Sequence, residues 1–239
     1  VGGSYVVFGK ASGFSSRLDL SSLNGSNGFR LDGVDAEDWS GASVSSAGDV
    51  NGDGYDDIII GAQGADPDGK SGAGESYVVF GKSSGFSSSI DLSSLNGANG
   101  FRLDGVDTSD SSGSSVSSAG DVNGDGFDDV IIGATGADPS SKSSAGESYV
   151  VFGKASDWNS SIDLSSLDGS NGFRLDGVDY RDLSGRVSSA GDVNGDGFSD
   201  IIIGATSGKW YAGESYVVFG KSSGFSSSID LSSLDGSNG

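Results

Sequence analysis

The stretch Asp49–Ala62 reads DVNGDGYDDIIIGA, and it returns as DVNGDGFDDVIIGA at 121–134 and as DVNGDGFSDIIIGA at 192–205. Each copy opens with the nine-residue pattern DxNxDGxxD, which sets oxygen donors at alternate positions around a turn that glycine permits. A short loop wraps a hard divalent cation in this way. In the first copy the side chains of Asp49, Asn51, Asp53 and Asp57 are the expected ligands, and Tyr55 at position seven offers only its backbone carbonyl. The second copy supplies Asp121, Asn123, Asp125 and Asp129 with the carbonyl of Phe127, and the third Asp192, Asn194, Asp196 and Asp200 with that of Phe198. Five protein groups, with one carboxylate bidentate or a water added, reach the six to eight oxygens that Ca²⁺ prefers. Mg²⁺ rarely accepts an all-protein cage. Position eight is Asp56, Asp128 and then Ser199, whereas position nine is Asp throughout, so position nine is the expected ligand. Three Ca²⁺ sites are therefore expected.

Asn-Gly and Asp-Gly are also plain turn formers. A turn needs one such pair, however, and each loop here gathers acids that repel one another without a counterion. The EF-hand loop begins in the same way but requires a bidentate Glu at position twelve, where this chain has Ile60, Ile132 and Ile203. The segment that follows, DIIIGA, is too short, too β-branched and too closely bounded by Gly for a helix. The loop thus joins two strands.

Larger motifs recur with the loop. SYVVFGK begins at Ser4, Ser76, Ser148 and Ser215, and FRLDGVD begins at Phe29, Phe101 and Phe173, a period of about 70 residues. Such a period describes a modular array in which no unit buries its apolar face alone. The stretch from loop to SYVVFGK is shorter in the third copy than in the first two, which marks the segment after each IIGA as a surface loop. Within one period four strands are predicted: Ser43 to Val50, Asp57 to Ala62, Ser76 to Gly81 and Phe101 to Gly105. Their apolar runs are continuous rather than alternating, as in strands covered on both faces. Four short antiparallel strands per repeat, stacked face to face, describe blades of a β-propeller. A β-solenoid stacks units too, but with far shorter repeats. The fold class is all-β, with about three and a third repeats. The expected divisions are a partial repeat at 1–42 and loop-bearing blades at 43–105, 106–177 and 178–239, the last including the start of a further repeat.

Composition bounds the function. Of 239 residues, 34 are acidic and 13 basic, for a net charge of −21. Nucleic acid is excluded as a natural partner, and three divalent cations would offset only six of those charges. Hydrophobic content is 34%, but 43 glycines and clear strand segments indicate a turn-rich β fold rather than disorder. With no Cys, disulfides and thiol chemistry are excluded, and calcium is left to provide cross-links. No apolar stretch is long enough to span a bilayer. There is no Met, and the sequence opens mid-pattern at Val1, so a piece of something longer is expected.

The combination of metal loop, Ile-rich strand and AGESYVVFGK resembles the FG-GAP repeats of integrin α-subunit β-propellers and their bacterial secreted relatives. The likeness covers nearly the whole chain. It implies Ca²⁺ at the same five positions of each loop, an extracellular or cell-surface location, and a role in adhesion or recognition of a protein or glycan. Family propellers usually have seven blades. Here VVFGK lacks the following Ala-Pro, and the repeat is longer than the typical blade of the family.

Both ends carry SYVVFGK, so the two ends are not complementary and closure of a ring within one chain is not expected. Strand Ser215 to Gly220 is an expected free edge, and two chains could complete a ring or add head to tail through their terminal strands. Glu75, Glu147 and Glu214 recur once per repeat, as do Arg30, Arg102 and Arg174, and both series are expected in structural bonds and ion pairs, the glutamates to a neighbouring blade. Trp158 stands where other repeats have Phe14, Phe86 and Phe225, and is expected in the core. Lys209, Trp210 and Tyr211 fall in the variable loop, where Trp210 and Tyr211 are candidate ligand contacts. No His or Cys is present, and nearly every acid has a repeating role, whereas catalysis should break the repeat at one place. The chain is read as non-enzymatic. Three functions follow: a calcium-dependent adhesion or recognition module, a self-assembling structural subunit, or an accessory module of a secreted hydrolase.

Overall fold

The computed structural model describes residues 2–13, 15–208 and 212–239. Phe14, Lys209, Trp210 and Tyr211 lie outside the described residues. The first complete blade is built from β3 (Ser43–Gly48), β4 (Asp57–Ala62), β5 (Glu75–Val79) and β7 (Gly100–Asp104), all antiparallel neighbours. The second repeats it with β8 (Ser112–Gly120), β9 (Asp129–Ala134), β10 (Glu147–Val151) and β12 (Gly172–Asp176). On one side of these stands a pair, β1 (Gly3–Val7) with β2 (Gly28–Asp32). On the other stands a three-stranded sheet, β13 (Ser184–Gly191), β14 (Asp200–Ala205) and β15 (Glu214–Val218). The sheets form an open, propeller-like array, none closed into a barrel.

One element escapes the sequence reading. A three-residue strand, SID, leaves each repeat between its third and fourth strands and pairs in parallel with the outer strand of the preceding blade. These are β6 (Ser89–Asp91) on β2, β11 (Ser161–Asp163) on β7 and β16 (Ser228–Asp230) on β12. Each sheet with a complete blade therefore has five strands, the fifth donated by the next repeat. Asp91, Asp163 and Asp230 end these strands by accepting a bond from the N–H two residues on, which opens a single 3₁₀ turn.

The continuous apolar runs are explained by the stacking. Ile60 packs with Phe29 and Leu31 on one side of its blade, while Ile59 packs with Val130 and Ile132 of the next blade on the other. The core thus lies between blades, not within them. Each clasp carries an aromatic ring onto the preceding blade: Phe86 stacks on Phe29 at 4.7 Å, Trp158 on Phe101 at 4.2 Å and Phe225 on Phe173 at 4.7 Å. Trp158 is half-buried against the core, as expected.

Small residues in the innermost strands serve close approach. Ser43 Oγ accepts from Val116 N (3.0 Å) and Ser115 Oγ from Val187 N (3.2 Å), so serines bond one inner strand to the next. A Cβ on Gly61 would sit 2.0 Å from the Gly113 carbonyl oxygen, so the glycine of IIGA is set by contact with the neighbouring blade. The recurring Arg and Glu are paired as expected, but inside their own blade. Arg102 binds Asp104 (Nη2 to Oδ2, 3.0 Å) and lies 3.6 Å from Glu75, whose carboxylate takes the buried Tyr77 hydroxyl. Arg174, Asp176, Glu147 and Tyr149 repeat this. The expected bond from these glutamates to a neighbouring blade is thus replaced, for Glu75 and Glu147, by one along the same sheet, because Tyr77 and Tyr149 lie two residues on, on the same face of the strand.

Candidate metal centre

The three DxNxDGxxD loops join β3 to β4, β8 to β9 and β13 to β14, and so all stand at the same end of their blades. Gly52 and Gly54 take φ of 71° and 87°, the left-handed backbone the tight turn needs. In the first loop Asp53 N–H is shared between Asp49 Oδ1 (3.0 Å) and Asn51 Oδ1 (2.9 Å). Two oxygens on one donor are necessarily close together. Gly54 N–H binds Asp49 Oδ2 (2.9 Å), Tyr55 N–H binds Asp53 Oδ1 (2.9 Å), and Asn51 Nδ2 donates to Asp53 Oδ2 (3.2 Å). Positions one, three and five are thereby gathered at the mouth of the loop. Asp121, Asn123 and Asp125 adopt the same pattern, as do Asp192, Asn194 and Asp196.

Position nine is placed differently. Asp57 is 1% exposed and Asp129 and Asp200 are fully buried. Asp57 accepts from Val50 N (2.9 Å) with one oxygen and from Gly81 N (2.8 Å) with the other, tying the loop to the end of β5. Asp129 does the same with Val122 and Gly153, and Asp200 with Val193 and Gly220. Constancy at position nine therefore has an architectural cause that the sequence did not reveal. Burial pushes the Asp57 carboxyl up to about 6 and that of Asp129 to about 8, with repulsion from the loop aspartates adding to it.

Among the described residues, no three Asp or Glu side chains form a ready-made metal cluster. The donor set nonetheless suits Ca²⁺. Each carboxylate oxygen has two lone pairs, and the backbone N–H groups named above leave lone pairs for a cation. The loops expose hard oxygen donors with no thiol or imidazole, which is the chemistry of Ca²⁺ rather than of a transition metal.

The opposite end of the blades carries residues that the sequence reading missed. The linkers from β2 to β3, β7 to β8 and β12 to β13 read DAEDWSG, DTSDSSG and DYRDLSG. In each, two residues adopt left-handed backbone: Glu37 and Trp39, Ser109 and Ser111, Arg181 and Leu183. That backbone costs of order 1 kcal/mol or more for a bulky side chain. Trp39 is 61% exposed and Tyr180 59%, with Arg181 laid over the Tyr180 ring. The signal was present in the sequence, as large residues replacing Ser or Ala at aligned linker positions. Trp210 and Tyr211, the aromatics singled out from sequence, are outside the described residues.

The fold and loops define a class: a modular array of propeller-type blades with one acidic hairpin in each complete inner sheet. The FG-GAP repeat matches residues 40–79, 112–151 and 184–218, each match taking in the loop and the three inner strands around it. The chain belongs to the FG-GAP repeat family of integrin α-type β-propellers. It is 30% identical over 193 residues to a phosphatidylinositol-glycan-specific phospholipase D of Dictyostelium discoideum, covering 76% of this chain and 19% of that protein. The Bos taurus phosphatidylinositol-glycan-specific phospholipase D is 32% identical over 165 residues, 69% of this chain and 18% of that protein. Integrin alpha pat-2 of Caenorhabditis elegans is 30% identical over 190 residues, 77% of this chain and 14% of that protein. The chain thus spans less than a fifth of the length of these relatives.

Proposed function

We propose that this chain is an extracellular recognition module in which Ca²⁺ at the three acidic hairpins braces one end of the blade array and the opposite end meets a protein or glycan. The observation that carries the calcium reading is the threefold recurrence of one arrangement: clustered oxygens at positions one, three and five beside a buried carboxylate that pairs with no lysine or arginine among the described residues. A cation supplies the charge that these acids otherwise lack, and millimolar extracellular calcium suits loops of this kind. Recognition is assigned to the face of Trp39 and Tyr180, where exposed rings are held on costly backbone. No residue of the chain is assigned a catalytic role. The likeness to phospholipase D sequences favours, as a second reading, an accessory module beside a hydrolase domain.

Calorimetric titration tests the first part. Three equivalents of Ca²⁺ are expected, falling to two in Asp53→Ala; absence of binding at millimolar Ca²⁺ would remove the reading. Glycan and protein arrays probed with wild type and with Trp39→Ala test the second, and equal binding by both would dismiss that face.

A further inference from the structure

Successive loops are not independent. The first and second loops are each touched by the repeat that follows, at positions one, two and four. Phe127, position seven of the second loop, lies so close over Gly52 of the first that a Cβ there would sit 2.4 Å from the ring; Phe198 lies the same way over Gly124. Lys154 N–H binds Val50 O (3.0 Å) and Lys221 N–H binds Val122 O (3.0 Å). The residue at position eight makes the contact nearest a ligand. Asp128 N–H donates to Asp49 O (3.2 Å), and Asp128 Oδ2 accepts from Asp49 N (2.8 Å). Both backbone groups of Asp49 are thus held by one residue of the next blade. The Asp49 carboxylate in turn carries the N–H groups of Asp53 and Gly54. Asp128 lies close over Gly48, where a Cβ would stand 2.2 Å from its Oδ2. Ser199 occupies the same place over Gly120, keeping the bond from its N–H to Asp121 O (2.9 Å) without a charge.

We propose that Asp128 is a positioning residue for the calcium site of the preceding loop, fixing Asp49 through its main chain, so that the affinity of the first loop is set partly by the repeat after it. This rests on the calcium reading above. It gives position eight a role between repeats, and it makes the second loop, where Ser199 replaces the carboxylate, the less firmly held of the two. A hydrogen bond to a charged acceptor is about twice as strong as a neutral one. Partners that orient metal ligands typically change affinity by about 10-fold or more.

The test uses Tb³⁺ as a stand-in for Ca²⁺. Tyr55 is the only position-seven tyrosine, since the other loops have Phe127 and Phe198, so its sensitised luminescence reports the first loop. Asp128→Ser should weaken Tb³⁺ at that loop, and Ca²⁺ in competition, by about 10-fold. Asp128→Asn retains an acceptor and should recover affinity to within about threefold of wild type. In a Tyr55→Phe, Phe127→Tyr, Asp53→Ala background, which moves the reporter to the second loop and empties the first loop that the residue-127 ring overlies, Ser199→Asp should tighten binding. Unchanged affinity in Asp128→Ser, no recovery in Asp128→Asn, or a melting loss identical in calcium and in chelator would each overturn the proposal. Absence of any Tyr55-sensitised signal in wild type would instead overturn the calcium reading beneath it.

Discussion

Replacing Trp158 with alanine removes the ring that fastens the second repeat to the first complete blade. Its indole lies stacked on Phe101 at 4.2 Å and 7°, edge-on to Phe80 at 6.1 Å, beneath Lys154 Nζ at 4.9 Å, with Nε1 bonded to Lys154 O at 3.0 Å. Truncating a fully buried aromatic costs roughly 3–5 kcal/mol. Trp158 is only half-buried, which lowers that figure, while its stacking contributes about 0.5–1.5 kcal/mol of its own. A loss of about 3 kcal/mol is expected. With an unfolding entropy of roughly 2.1 cal/mol/K per residue, a chain of this length should melt about 6 °C lower. Trp158→Phe should cost no more than about 1 kcal/mol, because Phe86 and Phe225 make the same stack at 4.7 Å in the neighbouring clasps. The measurement is thermal and urea unfolding followed by circular dichroism at fixed calcium. If alanine changes stability by less than 1 kcal/mol, or phenylalanine is as harmful as alanine, the clasp is not what holds the blades together.

Calcium at 100 times its dissociation constant should stabilise the fold by about 2.7 kcal/mol per site, or about 5 °C for each loop on the same entropy scale; coincident melts with calcium and with chelator would contradict this. Asp129→Ala leaves the buried N–H groups of Val122 and Gly153 without their acceptor and should cost about 3 kcal/mol in chelator, and more in calcium, where the stabilisation from that site is lost as well. Asp129→Asn keeps an acceptor and sheds the buried charge, so it should be milder than alanine in chelator yet lose most of the calcium stabilisation, as read by paired melts. Asp110 is buried facing Asp107, Asp138 and Glu147, and desolvation raises its carboxyl to about 6. A raised carboxylate favours the folded state while protonated, so stability should fall as pH climbs from about 4 to about 6, and Asp110→Asn should flatten that slope in urea titrations.

Much of this protein is written in its repeats. Local chemistry alone determined the loops, because positive φ at Gly52 and Gly54 and alternate donors are properties of a few adjacent residues. The strands DIIIGA and SYVVF were legible for the same reason, and their unbroken apolar runs already implied cover on both faces. The constant Asp at position nine was visible, but its bonds to Val50 and Gly81 tie the start of the loop to the segment just beyond β5, which only the fold brings together. The clasp was invisible, since SID is too short to carry a period and is a strand only because the preceding blade offers an edge. Trp39 and Tyr180 could have been noticed as breaks in the repeat, yet only the chain's path shows that both stand at the end opposite the metal loops. Sequence governed what each repeat is; the stacking of blades, which brings together residues some 70 positions apart, decided what each residue touches.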